Sequence, residues 1–128
     1  MRKAFFAALA ATAMLPFQPN AAAAAEVELR TAGDLMNICA VTDNDAHVEG
    51  ARGFCYGFLS GAANYHRSAH ADKKAKPLFC LPETGVTRAD AAKRFVEWGR
   101  AHPQYMSETP VDGLMRFAAA TWPCKKVK

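Results

Sequence analysis

Cysteine is the residue whose type and spacing most clearly specify chemistry in this chain of 128 residues. The amino terminus has the layout of an export signal, and an even number of cysteines in a short exported chain indicates disulfide bonds. No Cys-x-x-Cys or Cys-x-x-Cys-His sequence occurs, which argues against a redox motif and against an attached c-type haem. We therefore predict two disulfides, and spacing alone leaves all three pairings open. The cysteines are Cys39, Cys55, Cys80 and Cys124.

Two histidines have a spacing that could serve a metal ion. His66 and His70 are four residues apart, so both could face one ion from the same side of a helix. A closed site needs two further ligands, oxidised cysteines cannot supply thiolates, and no HExxH-type glutamate stands between the two histidines. We therefore predict no metal ion and no cofactor, and interpret the pair as polar residues at an exposed helix end.

Nucleophilic catalysis has little support in the sequence. It needs a reactive Cys or Ser beside a base, yet the cysteines are predicted to be paired and no Gly-x-Ser-x-Gly turn occurs. The Leu59-Ser60-Gly61 stretch lies within a predicted helix, where a strained nucleophile elbow does not belong. A small helical domain also offers little concavity for paired carboxylates. We predict that the protein is not an enzyme.

Four aromatic residues cluster in the middle of the chain. Phe54 and Phe58 have helical spacing and are interpreted as core residues, so they do not indicate a cofactor surface. Tyr56 and Tyr65 point elsewhere on the same helix. Tyrosine buries a large area while keeping a polar tip, so these two are candidates for an interface.

Helices must position these residues, because apolar residues recur at intervals of three and four and strand signals are nearly absent. The sequence predicts an all-α fold, a small bundle of about four helices stapled by two disulfides. The apolar face of the last helix is predicted to include Val111 and Leu114. The predicted helices span about 32–41, 46–69, 88–101 and 110–121.

Three of these helices begin with a Thr-x-x-Asp pattern. Thr31, Thr87 and Thr109 each precede an aspartate by three residues, which is typical of a capping box. Pro110 follows at a first helical position, where its missing N–H costs nothing. The same pattern begins at Thr42, within a predicted loop.

A glycine ridge marks the second predicted helix. Gly53, Gly57 and Gly61 recur every four residues, and each glycine weakens a helix by roughly 1 kcal/mol relative to alanine. Close approach of another helix backbone would compensate, so the spacing predicts such packing. A membrane dimerisation motif is excluded because charged and polar residues surround the ridge.

The amino terminus has the layout of a cleaved export signal. Arg2 and Lys3 precede an apolar stretch at 4–15 and a run of small residues that ends at Ala25. The apolar stretch is shorter than the roughly 20 residues that span a bilayer. We therefore predict a signal peptide at 1–25 and one domain at 26–128, located in the periplasm and free of the membrane after cleavage.

The charge balance argues against a nucleic-acid partner. The whole chain has a formal net charge of +4, and removal of Arg2 and Lys3 with the signal lowers it by two. Such a weak basic excess does not favour binding to a polyanion.

Several short motifs, taken in order, resemble the Rap/Tai immunity-protein family. A cysteine on a short first helix is followed by the glycine-spaced run and by a Cys-x-Pro step, then by a helix ending at His-Pro and a terminal Trp-Pro-Cys. The resemblance covers essentially the whole mature chain. The residues that carry it are Cys39, Gly53–Gly61, Cys80-Leu81-Pro82, His102-Pro103 and Trp122-Pro123-Cys124.

This resemblance implies a periplasmic immunity protein that binds a type VI secretion peptidoglycan amidase effector. It would inhibit the effector by capping the active-site cleft, without catalysis, and commonly as a homodimer. The alternative is an HdeA-like periplasmic acid-stress chaperone or a structural protein. The similarity to HdeA-like proteins implies a Cys39–Cys80 bridge, which leaves Cys55–Cys124 as the second.

No contact residues are transferred from the family, so we predict the contact surface from the loops. Segments 71–79 and 104–108 are predicted to protrude, and loops on a rigid body commonly carry binding. Lysines in the first segment would steer an acidic rim of the partner, although a purely solvated loop remains the alternative. The predicted contact residues are Lys73, Lys74, Lys76, Tyr65 and Tyr105.

Overall fold

Four α-helices and one 3₁₀ turn form the regular structure in a computed structural model that describes residues 28–72 and 74–125. The predicted signal peptide and Lys73 lie outside these residues. The all-α prediction is confirmed, since the described residues contain no strand. None of their helices is both long and apolar enough to cross a bilayer. The elements are α1 (Ala32–Cys39), α2 (Val48–Ala69), α3 (Arg88–Ala101), the 3₁₀ turn (Pro103–Tyr105) and α4 (Pro110–Thr121).

The threonine caps explain where three helices begin. At α1 the capping box is complete: the Thr31 hydroxyl accepts from the Asp34 N–H at 3.1 Å, and the Asp34 carboxylate accepts from the Thr31 N–H at 2.8 Å. Hydrogen bonds from Thr31 lower the pKa of the Asp34 carboxyl. Thr87 and Thr109 accept from the third-position N–H of α3 and α4.

The helix bounds differ from the prediction only around the first loop. The α1 helix ends at Cys39, and α2 begins at Val48. The reason is the stray Thr-x-x-Asp pattern: the Asp45 carboxylate accepts from the Thr42 N–H at 2.6 Å and closes a turn. The Asp45 carbonyl then accepts from the Val48 N–H at 3.1 Å.

The core lies where α1 meets the other three helices. Leu35, Phe95 and Phe117 are fully buried, and the two phenylalanine rings meet edge to face with centroids 5.4 Å apart. Two residues predicted as core are instead exposed. Phe54 is 38% exposed, because α2 packs on the core through the stripe that contains Cys55 and Leu59. Val111, in the first turn of α4, is 50% exposed.

The glycines that permit close packing are not those of the α2 ridge, so that prediction is wrong. A Cβ at Gly113 would overlap the Cβ of Ala32, which shows that α1 and α4 approach closely there. A Cβ at Gly33 in α1 would lie 3.2 Å from the Met106 carbonyl oxygen, which is a tight contact but not an overlap. Among the described residues, nothing lies within 4 Å of a Cβ placed at any of the three ridge glycines.

Two disulfides are confirmed, but the pairing implied by the HdeA-like proteins is wrong. Cys39 pairs with Cys55 because α1 packs along the first half of α2, and Cys80 pairs with Cys124. The second pairing follows from the backbone: the Cys80 N–H donates to the Trp122 carbonyl at 2.9 Å, which brings the connection between α2 and α3 beside the end of the chain. The bridges span 16 and 44 residues, so chain entropy assigns them about 3 and 4 kcal/mol.

Candidate partner-binding face

The exposed glycine ridge is the centre of an apolar face. Large apolar side chains are rarely exposed in groups on soluble proteins unless the surface binds something. In residues 28–72 and 74–125, four large apolar side chains are exposed, and all four lie on or beside this ridge. They are Phe54, Tyr65 at 78% exposure, Leu78 at 56% and Val111.

Three elements build the walls of the face. Gly57 and Gly61 of α2 form an open floor, the segment before Cys80 contributes Leu78, and α4 contributes Val111 and Met115. The groove also includes Tyr65 at its α2 side, and Phe54 adjoins it through a stacked contact with Phe58, whose ring centroid is 6.3 Å away. We call this surface the apolar groove, defined by Gly57, Gly61, Tyr65, Leu78, Val111 and Met115.

The apolar groove carries almost no charge. Apart from Tyr65, its only titratable linings are His66 and His70, and no carboxylate, ammonium or guanidinium group of the described chain lines it. Such a surface favours a binding partner that presents apolar side chains, because a charge buried against it would find no opposite charge to compensate its desolvation.

His66 fixes the position of Leu78 in the groove wall. Its imidazole is only 7% exposed, and its Nε2 accepts a hydrogen bond from the Leu78 N–H at 3.0 Å. The His66 ring stacks on the Phe79 ring with a centroid distance of 4.0 Å, and it also contacts the His70 ring, whose centroid is 4.4 Å away. Burial, together with the charge of His70, lowers the pKa of His66 from 6.5.

The exposed-end interpretation of the two histidines is therefore wrong for His66. The signal that was missed is its spacing, since His66 falls on the same α2 stripe as the buried Cys55 and Leu59. The Nδ1 atom of His70 contacts the His66 carbonyl oxygen at 2.7 Å. No group of three or more metal-ligating side chains was found among the described residues.

The other predicted contact residues lie apart from the groove or at its edge. Lys74 and Lys76 are exposed in the segment that leads to Leu78, and Lys74 pairs with Asp72 at 3.4 Å. Lys73 is outside the described residues. Tyr105 is half-buried, with its ring parallel to Trp98 at 5.7 Å.

Segment 104–108 is held against the body of the protein. Arg116 of α4 lies over the Tyr105 ring at 4.4 Å and makes two hydrogen bonds to the Glu108 carboxylate, at 2.7 and 3.0 Å. The Glu108 carbonyl also accepts from the Ala32 N–H at 2.8 Å. These contacts make the segment part of the scaffold beneath α1. Of the four predicted contact residues that the structure describes, only Tyr65 lines the groove.

These features define a small all-α domain, stapled by two disulfides, in which the exposed large apolar side chains of residues 28–72 and 74–125 are gathered on one face without carboxylate, ammonium or guanidinium groups. A family model described as Rap1a immunity proteins matches residues 31–124. The chain therefore belongs to the Rap1a immunity protein family, which confirms the resemblance at the level of the family. Such membership indicates an immunity function, exerted by binding a partner effector, and proteins of this class are typically not enzymes. No curated protein and no solved structure was found to match the chain.

Proposed function

We propose that this protein is a periplasmic immunity protein that binds a type VI secretion peptidoglycan amidase effector and inhibits it by capping the active-site cleft. The apolar groove is the surface that contacts the effector. The observation that carries this assignment is the gathering of all four exposed large apolar side chains on one face.

The periplasmic location is supported by two independent features. The amino terminus has the pattern of a cleaved export signal. All four cysteines are paired in disulfides, and such bonds persist in oxidising compartments outside the cytoplasm. The amidase as target follows from the family resemblance of the motifs.

The groove has the composition expected of the centre of an interface. Tyrosine is enriched among the residues that dominate binding energy, and Tyr65 is the most exposed of the four apolar side chains. Leu78 and Val111 face it from a loop and from α4, so an apolar element of the effector would contact three structural elements at once. The adjoining lysines, Lys74 and Lys76, then lie at the rim, where they raise the association rate with an acidic partner.

The test measures binding and inhibition together. The mature protein is titrated against purified type VI secretion peptidoglycan amidases of the same organism, and hydrolysis of peptidoglycan peptides is followed. Val111→Asp places a carboxylate in the groove, and we expect affinity to fall at least tenfold, about 1.4 kcal/mol or more. Ala120→Asp, at an exposed position on the same helix outside the groove, is the matched control and should leave affinity unchanged.

Each outcome has a separate meaning. If the wild-type protein neither binds nor inhibits the amidase, the proposed target is wrong. If it inhibits and Val111→Asp inhibits equally well, the groove is not the contact surface. The free protein is also sized by light scattering: if it is a dimer that Val111→Asp dissociates without weakening effector binding, the groove joins two copies of this chain instead.

A further inference from the structure

The imidazole of His66 can be protonated, and it accepts a hydrogen bond from Leu78 in the wall of the apolar groove. Because Nε2 accepts the Leu78 N–H at 3.0 Å, this nitrogen carries no proton, and the ring is the neutral tautomer with its hydrogen on Nδ1. Protonation of Nε2 would turn it into a donor that faces the Leu78 N–H, which is also a donor, so the hydrogen bond would be lost. The contact is therefore compatible with one protonation state only.

The surroundings of the ring favour that neutral state. From its own helix, His70 and Arg67 border the depression beside His66, and His70 together with burial disfavours a positive charge on the His66 ring. Of the part of the chain that the structure describes, Glu83 in the connection between α2 and α3 is the only carboxylate that lines this depression, and it is exposed to solvent. On the groove side α4 contributes Val111 and Met115, which carry no charge.

We propose that His66 is a pH-dependent latch on the groove: the neutral ring holds Leu78 in the groove wall, and protonation releases the wall and weakens partner binding. The release is local, because the Cys80–Cys124 bridge anchors the segment two residues beyond Leu78. The role in partner binding rests on the proposed function, whereas the latch itself is a property of the free protein.

The sign of the pH effect follows from the hydrogen bond, because Nε2 accepts from Leu78 only while it is unprotonated, and the lowered pKa of His66 agrees with that sign. Well above the ordinary value of 6.5 the ring is neutral whether or not the segment is latched, so pH has no effect there. As pH falls below 6.5, the released form takes up the proton first, and the latched form is progressively disfavoured until the pH passes the folded-state pKa.

The first experiment uses the free protein. Hydrogen exchange of the Leu78 amide is measured by NMR from pH 7.5 down to about 4.5 and corrected for the intrinsic pH dependence of exchange, while the ¹⁵N shifts of His66 report its protonation. We expect an unprotonated Nε2 at neutral pH and, on acidification, about tenfold faster exchange at Leu78, the factor for one lost hydrogen bond of ordinary net strength. The amides of Phe95 and Phe117 in the core should keep their protection.

Two variants separate the latch from general acid sensitivity. In His66→Gln the side-chain oxygen can accept from Leu78 and does not titrate, so protection at Leu78 should become independent of pH. In His70→Gln the neighbouring ring is removed and the latch is kept, so the pH dependence should persist. If His66→Gln does not fold, the wild-type titration decides alone: an unchanged Leu78 amide across the protonation of His66, or a ring that stays neutral throughout, overturns the latch.

The second experiment measures effector affinity over the same pH range. We expect wild-type affinity to weaken by about three- to tenfold on acidification, in step with Leu78 exchange, and His66→Gln to remove this dependence. If Leu78 is released and affinity does not change, the latch does not regulate binding, and the Val111→Asp comparison decides separately whether the groove is the contact surface. If no amidase binds at any pH, the target is wrong, while the exchange data on the free protein still decide for or against the latch.

Discussion

Replacing glycine by alanine should have opposite effects at two places in this fold. At Gly113 the new Cβ would overlap the Cβ of Ala32, whose own position is fixed because its N–H donates to the Glu108 carbonyl at 2.8 Å. Overpacking of this kind costs about 1–3 kcal/mol, and the gain in helix propensity of about 1 kcal/mol offsets only part of it. At Gly57 the new Cβ meets open space, so the propensity gain stands alone.

The assay is urea and thermal unfolding of the oxidised protein, with both variants beside the wild type. In a domain of this size, 1 kcal/mol shifts the Tm by roughly 4–8 °C. We expect Gly113→Ala to lower the Tm by several degrees and Gly57→Ala to raise it by about as much. Equal shifts in the same direction would refute the close contact of α1 with α4 or the exposure of the α2 ridge.

Two further predictions concern the staples and the cap of α1. Replacing both cysteines of the Cys80–Cys124 bridge by serine should lower the free energy of unfolding by about 4 kcal/mol, against about 3 kcal/mol for the Cys39–Cys55 bridge. Peptide mapping without reduction should recover these two pairs. A peptide that joins Cys39 to Cys80 would contradict the fold. Thr31→Ala should cost about 1 kcal/mol in urea unfolding, whereas Thr31→Ser keeps the capping oxygen and should cost little; equal losses would show that the hydroxyl is not the source of the stability.

Local features of the chain were readable from the sequence because their causes are local. The threonine caps, Pro110 and the apolar periodicity fix α3 and α4 at the bounds that the structure shows. Even the error at the start of α2 has a local cause, since Thr42 and Asp45 use the capping pattern to close a turn. These interactions join residues three or four apart, so a single sequence contains both partners.

The features that define the groove depend on how the helices are arranged, and the sequence-based expectations for them were wrong. The spacing of Gly57 and Gly61 predicts a flat ridge covered by another helix, but the ridge is open. Val111 is three residues before Leu114, a spacing that predicts the same buried face of α4. In the structure Val111 instead lines the groove together with Met115. The cysteine pairing likewise depends on which segments meet. The burial of His66 is the exception, because its α2 stripe was visible.

The open ridge has an energetic consequence that bears on function. The three ridge glycines weaken α2 by roughly 1 kcal/mol each, and no contact within the described residues compensates for them, since nothing lies within 4 Å of their Cβ positions. Compensation by a partner that lies against the ridge would explain why a stapled domain of modest size keeps this weakness at its surface.

That explanation makes one variant decisive. Gly57→Ala should stabilise the free protein and, at the same time, weaken effector binding, because the added methyl group occupies the floor on which the partner rests. Its effect on affinity is compared with Gly50→Ala, at an exposed α2 position that also meets open space but does not line the groove. If both variants bind the effector as tightly as the wild type, the partner does not contact the ridge, and the three glycines need another explanation.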